Sequence, residues 1–385
     1  MLPELSETHV ALRQAARAFA REALKDGASA RDEAGCFPHE LVPRLGELGF
    51  WGIRIPEDYG GSGLDTLAYA VIVEELAKAD GSVALSVASH NGLACGHLMR
   101  AGTDAQKATY LPRMATGEVL GAWALTEPGS GSDAAALRTR AVRDGDAWLI
   151  NGSKTFITQG SVGGVCLVLA QTDPTAGKRG ITAFMVDTSL PGYTATSHIR
   201  KLGCKSSDTV EVRFDDLRVP DSCRIGALGE GYADALACLD PGRVSIAAMA
   251  LGLGEAAAEV ACRYAREREQ FGTSIANFQA IQWKLANART RLDAARLLTW
   301  DAASLIDQGK PARQAASMAK LFASETATAV ANDAIQILGG YGYTRDFPVE
   351  RMWRDARLCE IGEGTSEIQR LVIFRELCQS QARLA

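Results

Sequence analysis

Glu363 is the residue in this chain that is best placed to remove a proton from a bound molecule. It stands between Gly362 and Gly364, where little side-chain bulk keeps a ligand away and the backbone is permissive. A carboxylate in such a turn suits a general base. The alternative interpretation is a solvated acidic side chain beside a helix dipole, and the local sequence alone favours it.

A helix is predicted directly after this glutamate. Ser366 and Gln369 have the spacing of a capping box, in which side chains bind the unpaired backbone N–H groups of a helix N-terminus. Ile368, Leu371 and Val372 follow at helical spacing and give that helix a buried face.

A second candidate site is the polar segment Thr126-Glu127-Pro128-Gly129-Ser130-Gly131-Ser132-Asp133. It follows an apolar run and offers hydroxyls and free backbone N–H groups, which together can bind phosphate. A plain turn has the same composition, so the segment alone does not decide between the two.

Three further motifs do not fix a function on local evidence, and a fourth is rejected as a nucleotide site. Asp240-Pro241-Gly242-Arg243 places an arginine that can bind a charged ligand group, although pairing with Asp240 is the default. Arg268-Glu269-Gln270-Phe271-Gly272 can bracket a nucleotide or form a helix–helix hairpin with a packed phenylalanine. Gln336-Ile337-Leu338-Gly339-Gly340 predicts a helix C-cap. Gly252-Leu253-Gly254 matches a dinucleotide fingerprint in letters only, and close helix packing explains it better.

The composition excludes several classes of protein. The 385 residues carry a net charge of −5 with both signs interspersed, which indicates a soluble globular protein without a nucleic-acid footprint or a polybasic membrane patch. Nine dispersed cysteines argue against zinc, iron–sulfur and disulfide frameworks, and favour a reducing compartment. The N-terminus has no signal or transit pattern, and no apolar run predicts a membrane span.

Hydrophobic periodicity divides the chain into three predicted domains, helical over 1–119, all-β over 120–229 and helical over 230–385. In the first, Ser6 and Asp65 are predicted helix caps. In the third, Ile281, Leu285, Ala288, Leu292 and Ala295 follow the four-and-three spacing of a four-helix bundle. The predicted fold class is therefore α+β.

The middle domain is predicted to be an antiparallel sheet or a small barrel. Short β-type runs cover 147–150, 155–158, 165–169 and 181–186. Turn signals at Asp144-Gly145-Asp146 and Asn151-Gly152-Ser153 bracket the first of these strands, as in a meander.

In this order and spacing, the motifs resemble those of the acyl-CoA dehydrogenase family from Leu5 to Leu377, and most closely those of its short-chain and branched-chain members. The family's flavin loop matches 124–133 and its second flavin segment matches Phe156-Ile157-Thr158. The remaining family motifs match 242–248, 268–272, 336–340 and 363–370. The resemblance implies a helical domain, a β-domain and a four-helix bundle, assembled as a homotetramer (a dimer of dimers) with one FAD per subunit.

The resemblance also implies roles for individual residues. Thr126 and Thr158 would contact the flavin ring, Thr158 near N5, and Ser132 would reach the pyrophosphate and the acyl-CoA. Arg268, Phe271, Gln279, Gln336 and Gly339 would hold the adenosine half of a neighbouring subunit's FAD. The complete cofactor set is Trp123, Leu125, Thr126, Gly131, Ser132, Phe156, Ile157, Thr158, Arg268, Phe271, Phe278, Gln279, Gln336, Gly339, Gly340, Thr365 and Glu367. The substrate would contact Ser132, Asp240, Arg243 and Gly364, and no metal is expected.

Glu363 aligns with the catalytic base of the family. The α-carbon of an acyl thioester is a weak acid, so its deprotonation needs a positioned base and stabilisation of the enolate oxygen. In this family the base residue's own backbone N–H and a ribityl hydroxyl of FAD hold that oxygen. The proton passes to Glu363 while a hydride passes from the β-carbon to flavin N5, giving a 2-enoyl-CoA. Desolvation is expected to raise the pKa of Glu363.

Two glycines refine this expectation. Some family members carry their base at the position of Gly242, which has no side chain here, so Glu363 is the only family base position that holds a carboxylate. Most members with the base at the Glu363 position have tyrosine just before it, where this chain has Gly362. We therefore predict that branched or bulky acyl groups are tolerated.

An electron-transferring flavoprotein is the expected electron acceptor. The expected location is the cytoplasm of a bacterium, or the mitochondrial matrix for a processed eukaryotic chain. The alternatives are an acyl-CoA oxidase or flavin monooxygenase on the same fold, and a non-enzymatic flavin-binding or DNA-associated protein, which the acidic balance disfavours. Acyl-chain length, pathway and the choice between CoA and a carrier-protein thioester stay open.

Overall fold

The computed structural model describes residues 5–382, and its N-terminal part is helical. Its α-helices are α1 (Glu7–Phe19), α2 (Ala28–Ala34), α3 (Val42–Glu47), α4 (Thr66–Ala79), α5 (Gly81–Ser89), α6 (Gly96–Ala101) and α7 (Asp104–Ala115). The predicted caps are confirmed. Ser6 forms a capping box with His9 at the start of α1, and Asp65 accepts a hydrogen bond from the Ala68 N–H at the start of α4.

The middle part is a mixed eight-stranded sheet. A separate two-stranded sheet, with two residues in each strand, lies later in the chain. The strands are β1 (Gly121–Ala124), β2 (Arg140–Asp144), β3 (Ala147–Thr158), β4 (Val165–Gln171), β5 (Ile181–Asp187), β6 (Tyr193–His198), β7 (Thr209–Pro220), β8 (Arg224–Ile225), β9 (Glu269–Gln270) and β10 (Thr273–Ser274). The strand order in the eight-stranded sheet is β6-β7-β3-β2-β4-β5-β8, and β1 pairs with β4. Most pairs are antiparallel as predicted, but β4 pairs in parallel with β1 and with the first residue of β2.

The predicted turn at Asn151-Gly152-Ser153 is wrong, because β3 runs through it without interruption. Gly152 has φ +148° and lies at a register shift against β7, so the Asn-Gly pair forms a bulge inside a strand. A second shift between Lys154 and Ile157 brings Phe156 to φ +59°. The two bulges bend the strand that ends at the second predicted flavin segment.

The C-terminal part returns to long helices. They are α8 (Gly231–Glu267), α9 (Gln279–Asp307), α10 (Arg313–Leu338), α11 (Val349–Cys359) and α12 (Ser366–Ala382). α8, α9 and α10 pack against one another and α12 packs on α10. The motif Asp240-Pro241-Gly242-Arg243 belongs to the first of these helices. It lies inside α8, whose backbone continues through Pro241.

The N-terminal and C-terminal helices share one hydrophobic core. Gly252 of α8 makes this possible, because a β-carbon there would lie 2.2 Å from the Glu74 carbonyl oxygen of α4. The prediction that this glycine serves close helix packing is thus confirmed. Two further clusters fill the two faces of the sheet, one of them against α6 and α7.

Among the described residues, one helix is long and apolar enough by composition to cross a membrane. It is α8, and 89% of its most apolar window is buried inside the protein. This burial identifies α8 as the core helix of the bundle.

We propose domain boundaries near residues 119 and 229. No helix or strand crosses either position, because α7 ends at Ala115, β1 begins at Gly121, β8 ends at Ile225 and α8 begins at Gly231.

Candidate active site

Glu363 lies on the turn between α11 and α12. Its φ is +53° and that of Gly364 is +96°, so two successive residues adopt left-handed backbone conformations. Such a φ is unfavourable for a glutamate and needs support from its surroundings.

The carboxylate of Glu363 lies directly against α8. A β-carbon built on Gly242 would be only 1.9 Å from Glu363 Oε2, so the glycine at the alternative base position makes room for this carboxylate. Glu363 Oε2 is buried and has no hydrogen-bond partner among the described residues. An unpaired buried carboxylate oxygen is an acceptor left open for a proton.

Burial raises the pKa of Glu363 to about 7. The positive charges of Arg243 and Lys320 lower this pKa, but burial has the larger effect. The charged form is disfavoured because the carboxylate is removed from water. A general base works best when its pKa is close to the operating pH, and this value meets that requirement.

The predicted capping box at Ser366 and Gln369 is wrong. The cap is one residue earlier, where Thr365 Oγ1 accepts from the Ile368 N–H at 3.3 Å and the Thr365 carbonyl accepts from the Gln369 N–H. The Gln369 side chain instead donates to the carbonyls of Gly364 at 2.9 Å and Glu363 at 3.2 Å. This side chain therefore supports the turn that carries Glu363.

Arg243 and Asp240 form the pair that the sequence favoured. Arg243 Nη1 donates to Asp240 Oδ1 at 2.7 Å, one helical turn apart on α8. Arg243 Nε is buried without an acceptor among the described residues, so the guanidinium keeps one donor for a ligand. Both residues were predicted to contact substrate, and Arg243 is near enough to Glu363 for its charge to lower the pKa of that carboxyl.

The predicted flavin loop, 124–133, is held by a buried ion pair that was not predicted from the sequence. Lys154 is fully buried, and its ammonium donates to Glu127 Oε1 at 2.8 Å and to the Leu125 carbonyl at 2.9 Å. The Glu127 carboxylate also accepts from the backbone N–H groups of Arg138 and Thr139. The signal in the sequence was a lysine two residues before the apolar pair Phe156-Ile157 in a strand.

Free donors in this loop fit the pyrophosphate of FAD. The backbone N–H groups of Gly131, Ser132 and Asp133 donate to no acceptor within residues 5–382, and a β-carbon at Gly131 would meet open space. Three successive free N–H groups are typical of an anion-binding loop.

The two segments predicted to contact the flavin ring, this loop and the end of β3, lie next to each other. The Thr126 carbonyl accepts from the Thr155 N–H at 2.9 Å, which ties the loop to the strand that ends at Thr158. Thr126 and Thr158 are half-buried. Leu125 and Ile157 have buried side chains within the cores on the two faces of the sheet, so only their backbone can meet a cofactor.

Trp123 of β1 has a partner that the sequence analysis did not identify. Its indole N–H donates to His97 Nδ1 at 3.3 Å, which fixes the orientation of the ring. Burial lowers the pKa of His97 to about 4, so this histidine is neutral.

Several residues predicted for adenosine line one cleft of about 630 Å³. They are Arg268, Phe271 and Gly339, and Phe278 and Gly340 of the predicted cofactor set line the same cleft. Gln279 and Gln336 are exposed but do not line it, and Glu367 is an exposed residue of α12. Phe271 is not packed as the hairpin interpretation required, since it is 94% exposed. A cleft with an exposed ring and a cation fits an aromatic base.

Among residues 5–382, no group of three or more His, Cys, Asp or Glu side chains could hold a metal ion.

Three family profiles match the chain along almost its whole length. They are described as the acyl-CoA dehydrogenase N-terminal domain, matching 6–118, the middle domain, matching 122–217, and the C-terminal domain, matching 229–378.

The similarity extends to complete proteins. The probable acyl-CoA dehydrogenase YngJ of Bacillus subtilis is 46% identical over 97% of this chain and 99% of its own. The mitochondrial short-chain specific acyl-CoA dehydrogenase of Bos taurus is 44% identical over 98% and 92%. Butyryl-CoA dehydrogenase from Megasphaera elsdenii superimposes with a TM-score of 0.96 at 39% identity, over 98% of this chain and 100% of its own. The chain therefore belongs to the acyl-CoA dehydrogenase family of FAD-dependent oxidoreductases.

Proposed function

We propose that this enzyme removes the α-proton of a short or branched acyl-CoA with Glu363 while the β-hydrogen leaves as hydride, giving a 2-enoyl-CoA. The observation that carries the proposal is the buried Oε2 of Glu363, which has no partner within residues 5–382 and lies against side-chain-free Gly242. A raised pKa of about 7 leaves this carboxylate partly ionised at neutral pH and makes it basic enough for an α-proton.

The turn that carries Glu363 also supplies a backbone hydrogen-bond donor for the thioester oxygen. The Glu363 N–H donates to no acceptor within the described residues, so it is free to bind the thioester oxygen where enolate charge develops. Arg243 lies beside the base and favours its charged form before proton transfer. Bound FAD supplies the hydride acceptor.

The residues present fit FAD on two separated surfaces of one chain. The loop 126–133 and the end of β3 would hold the flavin and the pyrophosphate, whereas the cleft at Arg268 and Phe271 would hold adenosine. We propose that the cleft serves the FAD of a neighbouring subunit in a homotetramer. The 94% exposure of Phe271 supports this, because a bare aromatic ring marks a surface that another molecule covers.

The acyl group is proposed to be short or branched because Gly362 leaves space beside the base. A β-carbon at Gly362 would meet nothing closer than the Leu358 carbonyl oxygen at 3.6 Å. Family membership and the short-chain specific and butyryl-CoA relatives support a short chain.

Gly362→Tyr tests the acyl assignment. We expect the variant to keep butyryl-CoA turnover within about threefold and to lose about tenfold in kcat/KM for isobutyryl-CoA, because the new ring takes the space of the branch. Gly362→Ala, whose β-carbon would meet nothing closer than 3.6 Å, is the control at the same position and should leave turnover of both substrates unaffected. Equal losses on both substrates would contradict the proposal.

We propose an electron-transferring flavoprotein as the acceptor, and a bacterial cytoplasm or mitochondrial matrix as the location. The experiment is anaerobic mixing of the yellow enzyme with a panel of acyl-CoA thioesters, followed by exposure to air. We expect bleaching by short thioesters and slow recovery of colour in air. Rapid recovery with peroxide release would favour an oxidase, and no bleaching by any thioester would contradict the proposal.

A further inference from the structure

Lys320 of α10 carries a fully buried ammonium group that the proposed reaction does not use. Its Nζ donates to the Gly364 carbonyl at 2.7 Å. Among residues 5–382 this carbonyl is its one hydrogen-bond acceptor. Burying an ammonium group is costly, so its retention at this point needs a reason.

The carbonyl that Lys320 binds belongs to the residue directly after the base. Gln369 Nε2 donates to the same carbonyl at 2.9 Å and to that of Glu363 at 3.2 Å. These hydrogen bonds converge on a turn in which Glu363 and Gly364 have φ of +53° and +96°. Two side chains from different helices thus hold a backbone that would otherwise relax.

Both groups that the proposed reaction needs are fixed by this turn. The carboxylate of Glu363 lies against Gly242, and the Glu363 N–H is free of other acceptors among the described residues. A backbone rotation at Glu363 or Gly364 would move the base and the N–H donor together relative to a bound thioester. A misplacement of about 1 Å at such a site can reduce the rate by about 100-fold.

The charge of Lys320 also acts on Glu363. Arg243 of α8 and Lys320 both favour the carboxylate and lower the pKa of Glu363, which burial raises. Tyr69 of α4 and Cys238 of α8 also face this carboxylate, and burial raises the pKa of both, so they are neutral.

Lys320 itself faces few negative groups. Burial lowers the pKa of Lys320 to about 8, and the positive charge of Arg243 lowers it further. Cys359, Glu363 and Glu360 act in the opposite direction and raise this pKa. Burial raises the pKa of the Cys359 thiol to about 12, so this group is neutral. The lysine therefore remains cationic at pH 7, where the base titrates.

We propose that Lys320, together with Gln369, is a positioning residue for the α-proton base. It fixes the Gly364 carbonyl, and through it the Glu363 carboxylate and N–H, and its charge favours the ionised base. This inference rests on the proposed function, because it requires Glu363 to accept the α-proton.

The test is anaerobic flavin reduction by butyryl-CoA, followed by stopped flow from about pH 5.5 to about pH 9, with the FAD-loaded Lys320→Met enzyme. We expect the rate to fall about 10- to 100-fold. We also expect the apparent pKa of the base to rise by at least about half a unit, because a neighbouring positive charge is gone. Lys320→Arg should restore the pKa, and Lys310→Met, on an exposed loop, should change neither quantity.

Gln369→Leu separates position from charge. It removes hydrogen bonds to the same turn without removing a charge, so we expect a loss of rate with no shift in the pH profile. Should Lys320→Met fail to fold, Gln369→Leu decides the positioning role, and Lys320→Gln, which keeps a donor for the Gly364 carbonyl but carries no charge, decides the effect of charge.

Native rate and native pH profile in Lys320→Met would overturn the inference, as would a loss of stability alone. A loss of rate without a pH shift would overturn the charge effect. Glu363→Gln is run in parallel. If it reduces flavin at the native rate, the proposed function fails, whereas an inactive Glu363→Gln beside an unaffected Lys320→Met defeats only the role of Lys320.

Discussion

Glu363 combines burial with the absence of a partner for Oε2, and the two properties together determine its chemistry. Burial raises the pKa of the carboxyl to about 7, and the missing partner leaves the oxygen available for a proton from the substrate. The same two properties destabilise the folded enzyme when no substrate is bound, because the ionised carboxylate of Glu363 is poorly solvated at its buried position.

This conflict predicts how the stability of the enzyme depends on pH. The folded-state pKa is raised, so the stabilising contribution of Glu363 is complete below its ordinary value of 4.5 and is lost as pH rises through about 7. Glu363→Gln cannot ionise and should therefore be more stable than the native enzyme at about pH 8, by about 2 kcal/mol, with little difference at about pH 5. Denaturant unfolding of FAD-loaded enzyme at both pH values measures this.

Glu118→Gln, at an exposed pair with Arg113, is the control and should show no such pH dependence. A Glu363→Gln enzyme that is less stable than the native protein at about pH 8 would contradict the assignment.

At the scale of single residues, the sequence predicts Glu363 as the base, and this stays a prediction, but it gave no indication of the residues that hold the Glu363 turn. The Gly-Glu-Gly segment and its neighbours were enough to identify Glu363 through the family resemblance. Thr365 was not recognised as the cap, because Ser366 and Gln369 have equally good spacing and only the structure shows that Gln369 turns back to the base. Lys320 lies 43 positions before Glu363 in the chain, and the spacing of residues in the sequence does not predict such long-range contacts.

At the scale of elements, β3 and the flavin loop form one unit. The ion pair of Lys154 and Glu127 joins them, since one carboxylate accepts from the lysine and from two backbone N–H groups. Breaking a buried pair by removing one partner leaves an uncompensated charge.

The Lys154→Met variant should lose stability and cofactor together. We expect a loss of about 3 to 5 kcal/mol in the free energy of unfolding, because Glu127 is then buried without a counter-charge, and FAD content should fall with it. The double variant Glu127→Gln/Lys154→Met should recover much of the stability. Absorbance of bound flavin and thermal unfolding report both effects, and full FAD content in Lys154→Met would count against a structural role for the pair.

The sequence predicted the helices better than the strands. Helical periodicity over long segments led to the correct first and third parts, including both caps. The Asn-Gly pair in β3 has the composition of a hairpin turn, and only pairing with β7 along both halves of the strand shows that it is a bulge.

At the scale of the whole molecule, the N-terminal and C-terminal helices form one core around α8. The composition predicted three parts in series and did not indicate that the first and third pack together, because this contact depends on close approach at Gly252. The chain also leaves several aromatic side chains of the C-terminal part exposed, namely Phe271, Trp283, Tyr343 and Phe374. These exposed rings support the proposed homotetramer, in which neighbouring subunits would cover them.

Loss of FAD should therefore follow dissociation of subunits. If the Phe271 cleft holds a neighbour's adenosine, dilution should release flavin over the same range of protomer concentration in which the assembly dissociates, and added FAD should oppose both. Flavin fluorescence and mass photometry on the same dilution series measure the two transitions. Isolated subunits that retain FAD would contradict a site shared between subunits.

The most direct test of the account is the rate of anaerobic flavin reduction by butyryl-CoA in the Glu363→Gln enzyme, measured after FAD content has been shown to be native. The glutamine keeps the size of the side chain and its place against Gly242 but cannot accept a proton. We predict a rate at least about 100-fold below that of the native enzyme, with substrate binding retained. Reduction at the native rate would contradict the assignment of Glu363 as the α-proton base.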